Sequence, residues 1–311
     1  YIPQPLPVDI TGNATGAIYH MVQDDVFHYI WVTSWKDLFA FRITKEGHLE
    51  QVDTSAFLTP GNKILYEIYK DKDGKLWVSA FDVESFIIDI RNYIVQKYPL
   101  PDLRNQLKAN PAINSLCKDE DGIFWFSQDR YGLCIYDSRK KKLKHYSQCQ
   151  GTRNLPFGDV TNIARSYNHN WIWATSYGPT VFGLSQQNME MREDVRIELG
   201  NVTNNPGLIT SLFEDPQNNL WIGTTTGLFV YRIMSATLES IPEVSGPVAG
   251  ITQTADSRIW TVIRNKGIYR IELDKHIESY PFDKDFVCID ATSDGNLWMG
   301  TTEGEVLLFD P

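Results

Sequence analysis

The chain has 311 residues, 42% hydrophobic and 13% aromatic, with a formal net charge of −10 and a pI of about 5.1. That length allows one or two domains with a sizeable core, and the acidic balance excludes the broad basic face that nucleic-acid binding needs. Cys117, Cys134, Cys149 and Cys288 include no CxxC pair, which argues against a zinc site or a disulfide framework.

No apolar run approaches the ~18 residues of a membrane-spanning helix. No secretory leader precedes Tyr1. The chain therefore reads as a mature or excised soluble part of a protein.

In chain order, the first element is IPQPLPV, with prolines at 3, 5 and 7. A period of two places three missing N–H donors on one side of a strand, as expected at a sheet edge. Next comes MVQDDVFHYIWVTSWKDLFAFRI from Met21, then IYKDKDGKLWVSAFDVESFIIDI from Ile68. Residues 101–112 read as a loop. LCKDEDGIFWFSQDRYGLCIYD follows from Leu116, then the basic run Arg139–His145, which reads as a solvated hairpin. IARSYNHNWIWATSYGPTVFGL from Ile163, LFEDPQNNLWIGTTTGLFVYR from Leu212, ITQTADSRIWTVIRNKGIYRIEL from Ile251 and IDATSDGNLWMGTTEGEVLLFD from Ile289 complete the series.

These are seven copies of one pattern. Their shared tryptophans are Trp31, Trp77, Trp125, Trp173, Trp221, Trp260 and Trp298, at successive spacings of 46, 48, 48, 48, 39 and 38 residues. Repeats at this period are the signature of a propeller. Each copy supplies an apolar strand, an acidic turn, the Trp strand, a second turn and a third strand, with a more polar fourth strand behind. The predicted fold is all-β, a seven-bladed β-propeller with four-stranded antiparallel blades, formed as a single domain by residues 1–311. The seventh copy lacks a fourth strand at the C-terminal end, so residues 1–8 are expected to complete it.

The acidic turns at 71–74, 119–122 and 293–295 lack the further ligands of a calcium loop, and turn chemistry accounts for their Asp and Gly. No His-rich cluster, nucleophile elbow or phosphate loop occurs, so neither a metal nor a cofactor is expected. The seven repeat tryptophans are expected to pack blade against blade with satisfied indole N–H groups.

The pattern D-x-x-G/N-x-x-W-I/M-G-T-x-x-G-L/V, clearest at 209–231 and 287–309 and next at 113–136, resembles the two-component regulator propeller repeat. Trp31, Trp173 and Trp260 are followed by VTS, ATS and TVI, and those copies depart from it. The resemblance implies a non-catalytic propeller from the periplasmic sensor region of a Bacteroidetes hybrid histidine kinase. It further implies oligosaccharide recognition, or scaffolding of it, to control carbohydrate-use genes. Expected partners are a neighbouring propeller or β-sandwich of the same inner-membrane receptor, with a possible homodimer.

Candidate ligand residues come from the turns after the Trp strands, which depart from the minimal TTTG. They are Trp35 and Lys36, Phe81 and Asp82, Arg130 and Tyr131, Tyr177, and Arg264 and Lys266. Aromatic faces beside charged groups suit a polar ring-shaped ligand. Two alternatives stand beside this reading. A secreted propeller lyase or glycoside hydrolase would draw on Asp82, Glu84, Asp129 and Glu303, and a protein-interaction platform would present a flat apolar patch.

Overall fold

Each repeat folds as an antiparallel meander, and its apolar pattern follows from where the strand lies. The computed structural model describes residues 2–5, 17–35, 37–45, 49–54, 65–71, 73–80, 86–92, 94–97, 113–128, 132–137, 139–140, 142–146, 160–272 and 276–311. Blade 1 comprises Ile18–Gln23, Ile30–Ser34, Leu38–Ile43 and Leu49–Val52. Blade 2 comprises Leu65–Lys70, Leu76–Ala80, Phe86–Asp89 and Ile94–Lys97. Blade 3 comprises Ile113–Lys118, Ile123–Gln128, Gly132–Asp137 and Lys142–Tyr146. Blade 4 comprises Asn162–Arg165, Ile172–Thr175, Thr180–Gln187 and Glu190–Glu198.

Blade 5 comprises Ile209–Glu214, Asn219–Thr224, Gly227–Arg232 and Thr237–Ser245. Blade 6 comprises Val248–Gln253, Ile259–Ile263, Gly267–Ile271 and Ile277–Pro281. Blade 7 comprises Phe286–Ala291, Leu297–Thr301 and Glu305–Phe309, with Ile2–Pro5 as its fourth strand. The fold is a seven-bladed β-propeller with four-stranded antiparallel sheets. By internal packing the chain divides into two compact units, residues 1–100 with 252–311, and residues 101–251.

The Trp strands are covered on both faces, and so they read as apolar runs rather than alternating ones. Ile30–Ser34, Ile172–Thr175, Asn219–Thr224, Ile259–Ile263 and Leu297–Thr301 are buried throughout. The outermost strands carry the charge. Glu190–Glu198 holds Arg196 against Glu193 at 2.9 Å, a polar edge that resists pairing with another chain. The basic run is a hairpin, with the Asp137 carboxylate accepting the backbone N–H of Arg139 and Lys140 at 3.0 and 3.1 Å.

All seven repeat tryptophans are buried. Four of them donate their indole N–H to the Asp that opens the preceding turn. Trp31 reaches Asp24, Trp77 reaches Asp71, Trp125 reaches Asp119 and Trp221 reaches Asp215, each at 2.9 Å. In blade 5 the other Asp215 oxygen accepts the backbone N–H of Gln217 and Asn219 at 2.9 Å. One buried carboxylate thus closes the turn and anchors the Trp. The turn ends on a left-handed residue, Gly74 (φ 76°), Gly122 (φ 77°) or Asn218 (φ 62°), which explains the Gly or Asn at that place.

The clamp varies where Asp is absent. Thr254 accepts from Trp260 at 3.1 Å. In blade 4 the turn offers Ser166, and Trp173 donates instead to Glu214 of blade 5 at 2.5 Å. Trp298 has a buried indole N–H with no hydrogen-bond partner among the described residues.

The N-terminal strand pairs with the last strand in the register Ile2↔Leu308, Pro3↔Leu307, Gln4↔Val306 and Pro5↔Glu305. It is the edge of that sheet. Alternate N–H groups face opposite ways, so prolines at 3 and 5 leave the donors of Ile2 and Gln4 for the ladder. Pro7 lies outside the described residues. Cys117, Cys134 and Cys288 are buried, and burial pushes the Cys288 thiol up to about 12.

Two outcomes follow. Asp215→Ala strands a buried indole and two turn amides, and should cost about 2–4 kcal/mol in denaturant unfolding. Deleting residues 1–8 should lower Tm by at least about 4 °C, and an unchanged melting curve would reject the closing role.

Candidate functional site

The clamped turns lie at one end of each blade, and the turns after the Trp strands lie at the other. At this second end the turn is tied to the incoming linker. Trp35 N–H donates to Ala17 O at 3.3 Å, Thr225 N–H to Leu208 O at 2.9 Å and Thr302 N–H to Asp285 O at 3.0 Å. In blade 5 the threonines add side-chain bonds, with Thr224 Oγ1 donating to Gly227 O at 2.9 Å and Thr226 Oγ1 to Pro206 O at 2.8 Å. Backbone bonding fixes the turn, so its side chains are free to differ between blades.

Of the candidate ligand residues, Trp35, Tyr177, Arg264 and Lys266 lie among the described residues, and Lys36, Phe81, Asp82, Arg130 and Tyr131 lie outside them. Trp35 is 52% exposed, whereas the other blade 1 tryptophan is buried. Its ring lies 6.4 Å from that of Tyr19 on the innermost strand, tilted by 31°. Tyr19 was absent from the candidates derived from the sequence. Its place one residue into an innermost strand, beside a turn bearing Trp, is the signal that marks it.

Tyr177 is 64% exposed and belongs to the other unit, on the turn of blade 4. Arg264 and Lys266 share the blade 6 turn, where Lys266 N–H closes onto Ile263 O at 3.1 Å. The Arg264 guanidinium grips Asp285 of the following linker with Nε and Nη2 at 2.7 and 2.6 Å. Each partner responds as a bidentate pair should. Asp285 holds Arg264 above its ordinary pKa, and Arg264 holds the Asp285 carboxyl below its own. Arg264 is thus engaged within the fold. Nearby, Lys284 meets Glu305 at 2.5 Å.

The acids proposed for an enzymatic reading fare differently. Asp82, Glu84 and Asp129 lie outside the described residues, and Glu303 is exposed on its turn. Burial pushes the Asp290 carboxyl up to about 6, against the opposing pull of the Ala291 and Gln23 amides and the Lys70 charge. Asp290 pairs with Trp298 in the register, towards the clamped end of blade 7, away from the variable turn that follows Thr301. A perturbed acid marks a catalytic site only with a partner and a pocket. Among the described residues no group of three or more His, Cys, Asp or Glu is placed to hold a metal ion.

His20, beside Tyr19, shares its Nδ1 hydrogen with Ile68 O of blade 2 at 2.9 Å. Enclosure lowers its pKa, and the neutral ring carries its proton on Nδ1, where Ile68 O accepts it. Ser115 donates to Ile163 O at 3.1 Å and Thr210 to Val248 O at 2.7 Å, so polar side chains stitch innermost strands to their neighbours.

Known proteins place this geometry. Residues 205–226 match the family model described as Two component regulator propeller. Histidine kinase P4 of Formosa agariphila is 24% identical over 202 residues, which is 65% of this chain and 11% of the kinase. The extracellular domain of the putative hybrid two component system BT4673 from B. thetaiotaomicron superposes with a TM-score of 0.74 at 18% identity, covering 100% of this chain and 40% of that one. That of BT3049, from the same organism, gives 0.73 at 17%, covering 99% and 42%. A streptogramin B lyase gives 0.74 at 14%, covering 99% and 96%. At these identities the structural likeness establishes the fold. The chain spans about a tenth of the curated kinase and two fifths of the two extracellular domains. No helix among the described residues is long and apolar enough to cross a membrane.

Asp290 yields a pH-dependent outcome. Its folded pKa lies above the ordinary carboxylate value, so the native state holds the proton more tightly and loses stability as pH rises from about 4 through about 6. Asp290→Asn removes that loss. It should raise Tm at pH 8, and the gain should vanish by about pH 4.

Proposed function

We propose that this chain, a β-propeller carrying the two-component regulator propeller repeat, is a non-catalytic sensor segment of a hybrid two-component histidine kinase. All seven blades act in this reading as one module on the periplasmic side of an inner-membrane receptor. The module binds an oligosaccharide, or scaffolds its binding by an adjoining propeller or β-sandwich, and the receptor controls carbohydrate-use genes.

The observation that carries the reading is the half-exposed Trp35 beside Tyr19 on a turn held by backbone bonds. An exposed indole costs hydration, and a fixed aromatic face complements the apolar face of a sugar ring. The match at residues 205–226 and the likeness to a histidine kinase support the signalling context. Lys36, Phe81 and Asp82 are further candidates for ligand contacts in this reading, and Arg130, Tyr131 and Tyr177 belong to the other unit. Arg264 and Lys266 have a lesser part, because Arg264 already holds Asp285.

A lyase reading draws on the streptogramin B lyase, whose whole length this chain nearly covers. Turnover of a glycan or streptogramin by the isolated chain would favour it over the sensor reading.

Calorimetry with a panel of oligosaccharides tests the proposal. Trp35→Ala should weaken binding by about 1.5–3 kcal/mol, the scale of a buried aromatic contact. Arg264→Ala should leave it within about 0.5 kcal/mol. Wild-type affinity in Trp35→Ala would remove the rim from consideration.

A further inference from the structure

Charge is spread through most of the chain, which is 22% charged, but it is absent from one end of two blades. Residues 170–189, 199–213 and 216–231 hold no Asp, Glu, Lys, Arg or His. The charges that interrupt them have other places. Glu190–Glu198 is the outermost strand of blade 4, and Glu214 and Asp215 belong to the clamped turn of blade 5. What stays bare is the opposite end, with the variable turns of both blades and the linker that joins them. Its edges are acidic. Glu198, held by Thr180 at 2.6 Å, borders blade 4, and the exposed Glu243 lies in the outermost strand of blade 5.

The linker is fixed at both ends by its backbone. Leu199 N–H donates to Pro179 O of the blade 4 turn at 2.9 Å, and Val202 N–H closes onto Leu199 O at 3.1 Å. At its far end Leu208 N–H donates to Thr225 Oγ1 of the blade 5 turn at 3.0 Å. On this held frame Tyr177, Val202 and Leu208 stand exposed, three of the large apolar side chains that the described residues leave in water. The other exposed residues of the linker and of the blade 5 turn are Gly, Asn and Thr. All of them belong to one compact unit.

We infer that this face docks a second copy of the chain across a two-fold axis. A protein surface is normally about a quarter to a third charged, whereas the centre of an interface is depleted of charge and enriched in Tyr. Charge also selects the occupant. A two-fold contact sets the same patch against itself, so a charged face brings like charges together near the axis. This face has none to bring. Each copy carries a net charge of −10, so the bare end of blades 4 and 5 is an approach that sets no acid against acid at its centre. The acidic edges at Glu198 and Glu243 stay at the rim, where solvent screens them. The inference is independent of the ligand reading for Trp35, which belongs to the other unit.

Sedimentation equilibrium of the chain, from about 0.02 to about 0.5 M NaCl, tests the inference. Two acidic copies meeting through a neutral face should dimerise more tightly as salt screens their repulsion, by at least about fivefold over that range. Val202→Glu and Leu208→Glu each place a charge against its own copy and should weaken the dimer at least about tenfold. Met234→Glu adds the same charge at an exposed site in the turn before Thr237–Ser245, at the clamped end, and should change it less than about twofold. Tyr177→Ser only trims an exposed ring, so it should weaken the dimer even if a charged variant melts early. A monomer at about 200 µM in the high salt, a dimer that loosens as salt is added, or wild-type dimerisation in the Tyr177, Val202 and Leu208 variants would overturn the assignment. A monomer whose oligosaccharide affinity falls in Tyr177→Ser would give the face to a ligand, and would overturn it equally.

Discussion

The bond from a buried indole N–H to a buried turn carboxylate sets the geometry of the blades. A Trp on a strand covered on both faces contributes a large apolar area, but its N–H must find an acceptor. Asp24, Asp71, Asp119 and Asp215 provide one and in the same stroke gather turn amides. The carboxylate joins the end of one strand to the middle of the next, so strand register, turn shape and Trp position are one constraint rather than three. Where the acid is missing, the bond is rebuilt from Thr254, borrowed from Glu214 or, at Trp298, not made among the described residues.

This arrangement divides labour between the two ends of a blade. At the clamped end side chains have structural duties, so composition there is narrow. At the other end the backbone does the holding, through bonds such as Thr225 to Leu208 and Thr302 to Asp285, and side chains vary without loss of fold. Trp35 can stand exposed there because nothing structural depends on its ring.

Much of the fold was legible from the tryptophan spacing, because a blade's pattern is local and recurs. The edge role of the N-terminal strand was equally legible, since the period of the prolines is a backbone property. Cross-blade chemistry was not. Glu214 looks like the first acid of an ordinary turn, and only the structure shows it accepting from Trp173, 41 residues earlier. The acidic turns were explained by turn geometry alone, which missed their second duty towards the indole. In the candidate site, Trp35 stood out because it falls outside the repeat. Arg264 looked available because its partner Asp285 lies 21 residues away in a linker of no evident pattern. Tyr19 escaped notice because an aromatic residue in a strand is unremarkable until its neighbour is known.

The pairing of Ile2 with Leu308 also governs the order of assembly. Synthesis runs from the N-terminus, so the strand that completes blade 7 emerges before its partner, with six blades made between them. Through that interval it is an extended segment with no sheet to join, the kind of segment that recruits wrong partners. Pro3 and Pro5 strip donors from one of its sides, so it can pair along a single flank. The same residues that blunt the finished edge protect the nascent chain while it waits for Glu305–Phe309.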